Sequence, residues 1–225
     1  MKLFVIIFLA ALVAGCSQGS KKGEKMEVKS EIQKKVEEFA TFKLTTDLSV
    51  LTDKEKQMLP LLLEAAKIMD DIYWVQAYGD KEKLLSADMD QYTKRFAEIN
   101  YGPWERLNNN EPFIEGQGPK PAGANFYPHD ITKAEFEAWE DDSKASLYTM
   151  IRRDDNGKLK SIPYHEFFNE QITKASALVR EASHLAEDPG LKNYLEKRSE
   201  ALLTDEYYES DVAWMDMKNN TIEFI

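Results

Sequence analysis

Apolar side chains recur at helical spacing along most of this chain. Before residue 100 and after residue 163 they stand three and four positions apart, which is the spacing of one helix face. Helix starts are indicated by residues whose side chains accept hydrogen bonds from free backbone N–H groups, namely Ser30, Thr52, Asp80 and Thr132. The pattern predicts a mainly helical protein, with a first helix over residues 30–42.

The longest predicted helix follows a capping box that begins at Thr52, and it closes at Gly79. Pro60 lies too deep for the first turn, so we expect either a kink or a later start. Asp80 is predicted to cap one further helix, which buries Phe96.

Two regions have the alternating pattern of β-strands. Residues 146–151 and 158–162 flank an Asp-Asn-Gly turn, which predicts a hairpin. Residues 221–225 alternate in the same way and predict a terminal strand. The predicted fold class is therefore mainly α with a small β-hairpin and a terminal strand (α+β).

Further helices are predicted after the hairpin. One begins at Pro163 and runs to Ala186, and a turn at residues 188–190 leads into its antiparallel partner. Thr204 and Asp205 are expected to start a short last helix.

Residues 100–130, here called the aromatic loop, show neither the helical spacing nor the strand alternation of apolar residues. They hold five of the eight prolines and four of the ten glycines, together with the aromatic residues Tyr101, Trp104, Phe113, Phe126 and Tyr127. A long aromatic loop in a compact domain is usually ordered. It serves either as a rigid strap over the core or as a surface that contacts substrate.

The first fifteen residues have the form of a secretory signal. Lys2 precedes an apolar run that is too short to span a bilayer comfortably. Residues 13–16 read Val-Ala-Gly-Cys, and Cys16 is the single cysteine of the chain. This pattern resembles the lipobox of bacterial lipoproteins, in which the cysteine becomes the lipidated N-terminus.

The lipobox resemblance implies a signal peptide over 1–15, lipid attachment at Cys16, a flexible tether over 16–29 and a domain over 30–225. Ser17, which follows the cysteine, favours the outer membrane of a Gram-negative envelope, with the domain facing the periplasm. The formal net charge of −11 argues against nucleic-acid binding, which requires a basic surface.

The three histidines do not have the spacing of a zinc peptidase, whose helix places two histidines on one face. His165 with Glu166 begins such a motif, but Asn169 stands where the second histidine belongs. His184 is expected on a helix surface, and His129 is expected to make a structural hydrogen bond. No catalytic, cofactor-binding or metal-binding residue is predicted in this chain.

The aromatic loop and the segment Leu-Leu-Thr-Asp-Glu-Tyr-Tyr-Glu-Ser-Asp-Val-Ala-Trp-Met-Asp, residues 202–216, carry a family resemblance. They look like the N-terminal part of the bacterial dipeptidyl peptidase III-like zinc peptidases, and nearly everything over 31–225 fits. The resemblance implies the N-terminal portion of a two-lobed metallopeptidase that removes dipeptides from the N-terminus of short peptides. It places the zinc motif, His-Glu-x-x-Gly-His, downstream.

Three hypotheses follow. In the first, the chain is an N-terminal fragment that is truncated at its C-terminus, inactive alone, and completed by the missing C-terminal part. In the second, it is a complete helical lipoprotein that binds a peptide or a partner protein through the aromatic loop. In the third, it is the functionless remnant of a broken gene.

Overall fold

The computed structural model describes residues 29–225. The predicted signal peptide, Cys16 and nearly all of the predicted tether lie outside the described residues. The predicted mainly helical class with a small β-hairpin is confirmed, since residues 29–225 are mainly helical with two small two-stranded sheets, although the predicted terminal strand is absent from this range. No helix in this range combines the length and the apolar character needed to cross a bilayer.

The helices of the described part are α1 (Glu31–Glu37), α2 (Asp53–Ala77), α3 (Lys81–Ser86), α4 (Gln91–Asn100), α5 (Lys133–Ala138), α6 (Tyr164–Phe167), α7 (Asn169–Leu185), α8 (Pro189–Leu202) and α9 (Tyr208–Asp216). The strands are β1 (Trp104–Glu105), β2 (Glu111–Pro112), β3 (Thr149–Arg153) and β4 (Leu159–Pro163). Both sheets are antiparallel hairpins, and the second aligns Thr149 with Pro163 and Arg153 with Leu159.

The predicted caps form where local sequence alone decides them. Thr52 and Glu55 make a complete capping box, with the Thr52 hydroxyl accepting from the Glu55 N–H and the Glu55 carboxylate accepting from the Thr52 N–H at 2.8 Å. Ser30 accepts from the Gln33 N–H and Asp80 from the Lys83 N–H. Asp188, which was predicted only as part of a turn, also caps α8 by accepting from the Leu191 N–H. These bonds satisfy donors that a helix start leaves free.

Helix α2 begins directly after its cap and passes through Pro60, so the predicted later start is wrong. Proline in a helix interior removes a backbone hydrogen bond and costs about 3 kcal/mol. Met58 and Leu62, on either side of Pro60, are buried. Burying such side chains contributes roughly 1.5–3 kcal/mol each, which is enough to hold the helix together.

Two predicted helices are each divided in the structure. The helix capped by Asp80 ends at Ser86, and Asp90 caps a separate helix α4 by accepting from two backbone N–H groups. The helix predicted over residues 163–186 is divided at Phe168, whose ψ of 31° departs from helical geometry. Phe168 is buried in the main core together with residues of α2 and α8, so tertiary packing fixes this break.

The terminal strand predicted over 221–225 does not form, because no strand of the described residues lies beside it. Its apolar residues are used differently: Ile222 is buried in the core and Phe224 packs against it. The alternating pattern of residues 221–225 therefore marks the side chains that pack on the helical core, and it does not indicate a strand.

The main core lies between α2, α7, α8 and α9. Met58, Ala175, Tyr194 and Leu195 are fully buried there. A smaller cluster around Trp74, Leu84 and Ala97 joins the C-terminal end of α2 to α3 and α4. The aromatic loop begins at this second cluster.

Candidate functional site

The three histidines lie on separate elements. His165 belongs to α6, while His184 is exposed on α7 as predicted. His129 is exposed and lines two cavities beside the aromatic loop instead of forming the predicted structural hydrogen bond. Across residues 29–225, no three histidine, cysteine, aspartate or glutamate side chains are grouped so that they could hold a metal ion. Zinc therefore has no fitting ligand set in this range.

His165 has a partner that the sequence did not indicate. Its ring Nδ1 lies 2.8 Å from Asp205 Oδ2, and its backbone N–H donates to the same oxygen at 3.2 Å. Asp205 was predicted to start α9, but α9 begins at Tyr208. The backbone of Asp205 has a φ of +60°, which turns its carboxylate back towards α6.

The Asp205 carboxylate is 9% exposed, and its second oxygen, Oδ1, has no hydrogen-bond partner among the described residues. Burial, aided by the charge of Asp205, raises the pKa of Tyr164 and of Tyr207 to about 12. The short polar side chain of aspartate tolerates the left-handed region better than most. The tolerance of aspartate for a positive φ was the only local signal in the sequence for the turn at Asp205.

The aromatic loop begins with a hairpin that sequence reasoning missed. Strands β1 and β2 are joined by a turn in which the Glu111 N–H donates to the Asn108 carbonyl. The two central residues, Asn109 and Asn110, have φ values of 52° and 58°. Asparagine is among the few residues that accept two successive positive φ angles, as a tight hairpin turn requires.

Trp104 fixes the middle of the aromatic loop. Its side chain is buried, and its ring N–H donates to the Gly118 carbonyl at 2.9 Å. The Phe113 N–H donates to the Pro103 carbonyl at 3.0 Å. These bonds connect both halves of the loop, so the predicted order of the loop is confirmed.

The end of the aromatic loop connects α2 to the hairpin of β3 and β4. Asn125 donates from its side chain to the Val75 carbonyl and from its backbone to the Gln76 carbonyl, both in the last turn of α2. Arg152 of β3 donates to the carbonyls of Asn125 and Phe126. Asn125 thus satisfies carbonyls that the helix end leaves free.

The five aromatic rings of the loop do not gather into one binding surface. Tyr101 contacts Trp74, Trp104 contacts Tyr78, Phe113 contacts Phe96, Phe126 packs on the main core, and Tyr127 contacts Phe136. Because the rings pack on the end of α2, on α4, on α5 and on the main core, they act as the rigid strap of the first alternative.

Open cavities line the aromatic loop on several sides. The cavity at the β1–β2 turn measures about 600 Å³ and is lined by Asn110, Glu111, Pro119, Lys120, Pro121 and Phe126 among others. A second, of about 420 Å³, lies between Trp104, Tyr78, Asp80 and His129. A third, of about 380 Å³, lies between Tyr127, His129 and Phe136. Each of these cavities is lined by one aromatic residue of the loop, namely Phe126, Trp104 and Tyr127, together with polar and proline residues.

Gly123 allows the loop to turn between these cavities. Its φ is +77°, and a Cβ at this position would lie 2.4 Å from the Tyr127 ring. Only glycine combines this backbone angle with such a close approach. The absence of a Cβ at Gly123 leaves room for the Tyr127 ring, which forms a wall of the third cavity.

Arg153 holds the exit of the aromatic loop. Its guanidinium donates to both carboxylate oxygens of Asp130 and to both of Glu135. Hydrogen bonds from Arg153 lower the pKa of both carboxyl groups. Thr132 caps α5 by accepting from the Glu135 N–H, as predicted, and the Glu135 carboxylate binds Arg153 instead of the Thr132 N–H that it would accept from in a capping box.

The fold of the described residues is similar to part of dipeptidyl peptidase III. The solved structure of dipeptidyl peptidase III from Caldithrix abyssi is 41% identical with a TM-score of 0.78, covering 84% of this chain and 38% of that chain. Dipeptidyl peptidase III from Corallococcus sp. strain EGB is 34% identical with a TM-score of 0.76, again over 84% of this chain and over 37% of that one.

A curated relative, Nudix hydrolase 3 from Arabidopsis thaliana, is 29% identical over 82% of this chain and 32% of its own length. The chain therefore spans about a third of the length of the proteins it matches. No protein-family model matches it.

Proposed function

We propose that this chain is the N-terminal portion of a zinc-dependent, dipeptidyl peptidase III-like hydrolase. In full length, this enzyme would remove dipeptides from the N-terminus of short peptides. The observation that carries the proposal is the 41% identity and TM-score of 0.78 to a dipeptidyl peptidase III of which this chain covers 38%. Agreement of sequence and fold over the same region supports common descent of that region.

The chain alone is proposed to be inactive. A catalytic zinc site takes three protein ligands and leaves one position for water, and a general base must lie within reach of that water. His129, His165 and His184 lie in the aromatic loop, in α6 and on α7, and no ligand group forms across residues 29–225. The catalytic residues would come from a further polypeptide, which is one proposed partner. The other proposed partners are short peptides, the substrates of the full-length enzyme.

The proposed position in the cell follows from Cys16. Lipidated there, the protein would be held on the periplasmic face of the outer membrane by a tether of residues 16–29. Each buried methylene of an acyl chain contributes ~0.8 kcal/mol, so several chains hold a protein firmly. A Cys16→Ala variant is expected to leave the membrane fraction, and its retention there would contradict the lipid anchor.

The activity is tested by adding zinc to the purified chain and measuring dipeptide release from a dipeptidyl arylamide. No release is expected from the chain alone, and release is expected when the polypeptide bearing His-Glu-x-x-Gly-His is added. Enzyme-like rates from the chain alone would show that the missing chemistry has been assigned wrongly. A mixed sample in which that motif carries His→Ala is the matched control.

A second candidate is a helical lipoprotein that binds a peptide or partner protein through the aromatic loop. Three cavities along this loop favour it, since sites for small ligands are concave and largely preformed. It predicts a cooperative thermal melt of the isolated chain and a ligand that raises the melting temperature. A molten, aggregating product would count against it.

Similarity to Nudix hydrolase 3 adds no further candidate. The match covers 32% of that protein, so its name describes a much longer polypeptide than the part that is similar.

A further inference from the structure

Lys120 occupies an unusual position on the wall of the 600 Å³ cavity. It is half-buried, and no carboxylate of the described residues lies within ion-pair distance of it. Its ammonium has one neutral acceptor, Asn110 Oδ1, at 3.4 Å. A buried cation is normally paired with an anion, because desolvation of the unpaired charge is costly.

Arg106 adds a second positive charge near the unpaired ammonium of Lys120. Burial lowers the pKa of Lys120, and the charge of Arg106 lowers it further. Arg106 donates to the Ile99 carbonyl and stacks on the Tyr101 ring, so no carboxylate neutralises it either in the described part. An anion at Lys120 would relieve both the desolvation and the repulsion.

The surroundings of Lys120 are held in place before any ligand arrives. Its ammonium lies 6.0 Å from the centre of the Trp104 ring, and that ring is bonded to the Gly118 carbonyl. Asn110 is fixed by its turn, and its side-chain N–H₂ is left to donate to a ligand. A preorganised site binds more tightly because less freedom is lost on binding.

The walls of the cavity select among anions. Pro112, Pro119, Pro121 and Phe126 offer apolar surface, and about 600 Å³ suits a ligand the size of a short peptide. Glu111 is also a lining residue of this cavity, and its negative charge would repel a doubly charged phosphate more than a singly charged carboxylate. The net charge of −11 also disfavours polyanions.

We propose that this cavity binds the C-terminal carboxylate of a short peptide, with Lys120 as the cation and Asn110 as a second donor. The site needs no metal and no hydrolysis. It is therefore independent of the proposed peptidase function and rests on the second candidate, peptide binding at the aromatic loop, which it narrows to one cavity and one ligand group.

The test uses the purified chain and the tripeptide Gly-Ala-Phe, followed by calorimetry and by the NMR signal of the Trp104 ring N–H. Saturable binding that shifts this signal is expected. The C-terminal amide of the tripeptide should bind about tenfold more weakly or worse, since a hydrogen bond between charged groups is lost. Lys120→Gln should cause the same loss for the free tripeptide, whereas Lys120→Arg should retain most of the affinity.

Lys174→Gln is the matched control, because Lys174 lies on α7 away from the cavities of the aromatic loop, is exposed and pairs with Glu64. Equal affinity for tripeptide and amide would overturn the proposal, as would no binding or an equal loss in both glutamine variants. Stronger binding of inorganic phosphate than of the tripeptide would overturn the peptide assignment. Should Lys120→Gln fail to fold, the comparison of tripeptide with amide in the unaltered chain still decides the question.

Discussion

Replacing Asp205 is expected to destabilise the fold through two separable effects. Asp205→Ala removes both hydrogen bonds to His165 and leaves a half-buried N–H without an acceptor. Losing a hydrogen bond of this kind costs about 1–3 kcal/mol. In the wild type, the Asp205 carboxylate also buries one oxygen without a hydrogen-bond partner. Removing that oxygen in Asp205→Ala offsets part of the cost of the lost hydrogen bonds. We therefore expect a net loss of roughly 1–3 kcal/mol.

The backbone supplies the second effect. Because residue 205 has a φ of +60°, alanine retains a strained conformation there, whereas glycine does not. Asp205→Gly should therefore be about 1 kcal/mol more stable than Asp205→Ala. Asp205→Asn keeps an acceptor and tolerates this angle, so it should be the least affected of the three variants.

The assay is urea unfolding followed by far-UV circular dichroism near pH 7, with His165→Ala and the double variant completing a thermodynamic cycle. A coupling energy of about 1 kcal/mol or more between the two positions is expected. The reasoning is refuted if Asp205→Ala is as stable as the wild type, if it equals Asp205→Gly, or if the coupling is zero.

Three other predictions concern pH and the loop. Burial raises the pKa of Tyr164 from 10.0 to about 12. The contribution of the neutral Tyr164 to stability is therefore present below pH 10.0 and lost as the pH rises towards 12. Tyr164→Phe should move alkaline unfolding to higher pH, and an unchanged midpoint would contradict this. Hydrogen bonds from Arg153 lower the pKa of Glu135 from 4.5, so its contribution is present above pH 4.5 and lost as pH falls. The melting temperatures of the wild type and of Glu135→Gln should converge in acid, and a constant difference would refute the pairing. Gly123→Ala should lower the melting temperature more than Gly116→Ala, because both have positive φ but only the first Cβ would strike a ring; equal effects would exclude the clash.

Signals that act over a few residues were predicted correctly. The capping box at Thr52, the cap at Asp80 and the hairpin around the Asp-Asn-Gly turn depend on neighbours within about four positions. The helical period that predicts a buried Phe96 is of the same kind, and Phe96 is buried. Each is read from the sequence because the interacting groups are close along the chain.

Contacts between distant segments could not be predicted in this way. Asp205 reaches His165 across forty residues, and Arg152 holds carbonyls of the aromatic loop more than twenty residues away. The failure of the terminal strand has the same origin, since a strand requires a partner and this end of the chain meets helices.

The sequence by itself determined the helical class, the helix starts capped by Ser30, Thr52, Asp80 and Thr132, and the scattered spacing of the histidines, because these depend on backbone donors and side-chain periods within a turn or two. Only the tertiary structure decided that the rings of the aromatic loop face different elements and that Lys120 lines a cavity without a carboxylate partner among the described residues. Burial and charge pairing depend on which distant segments meet. That meeting is the outcome of packing the whole chain, and no local pattern encodes it.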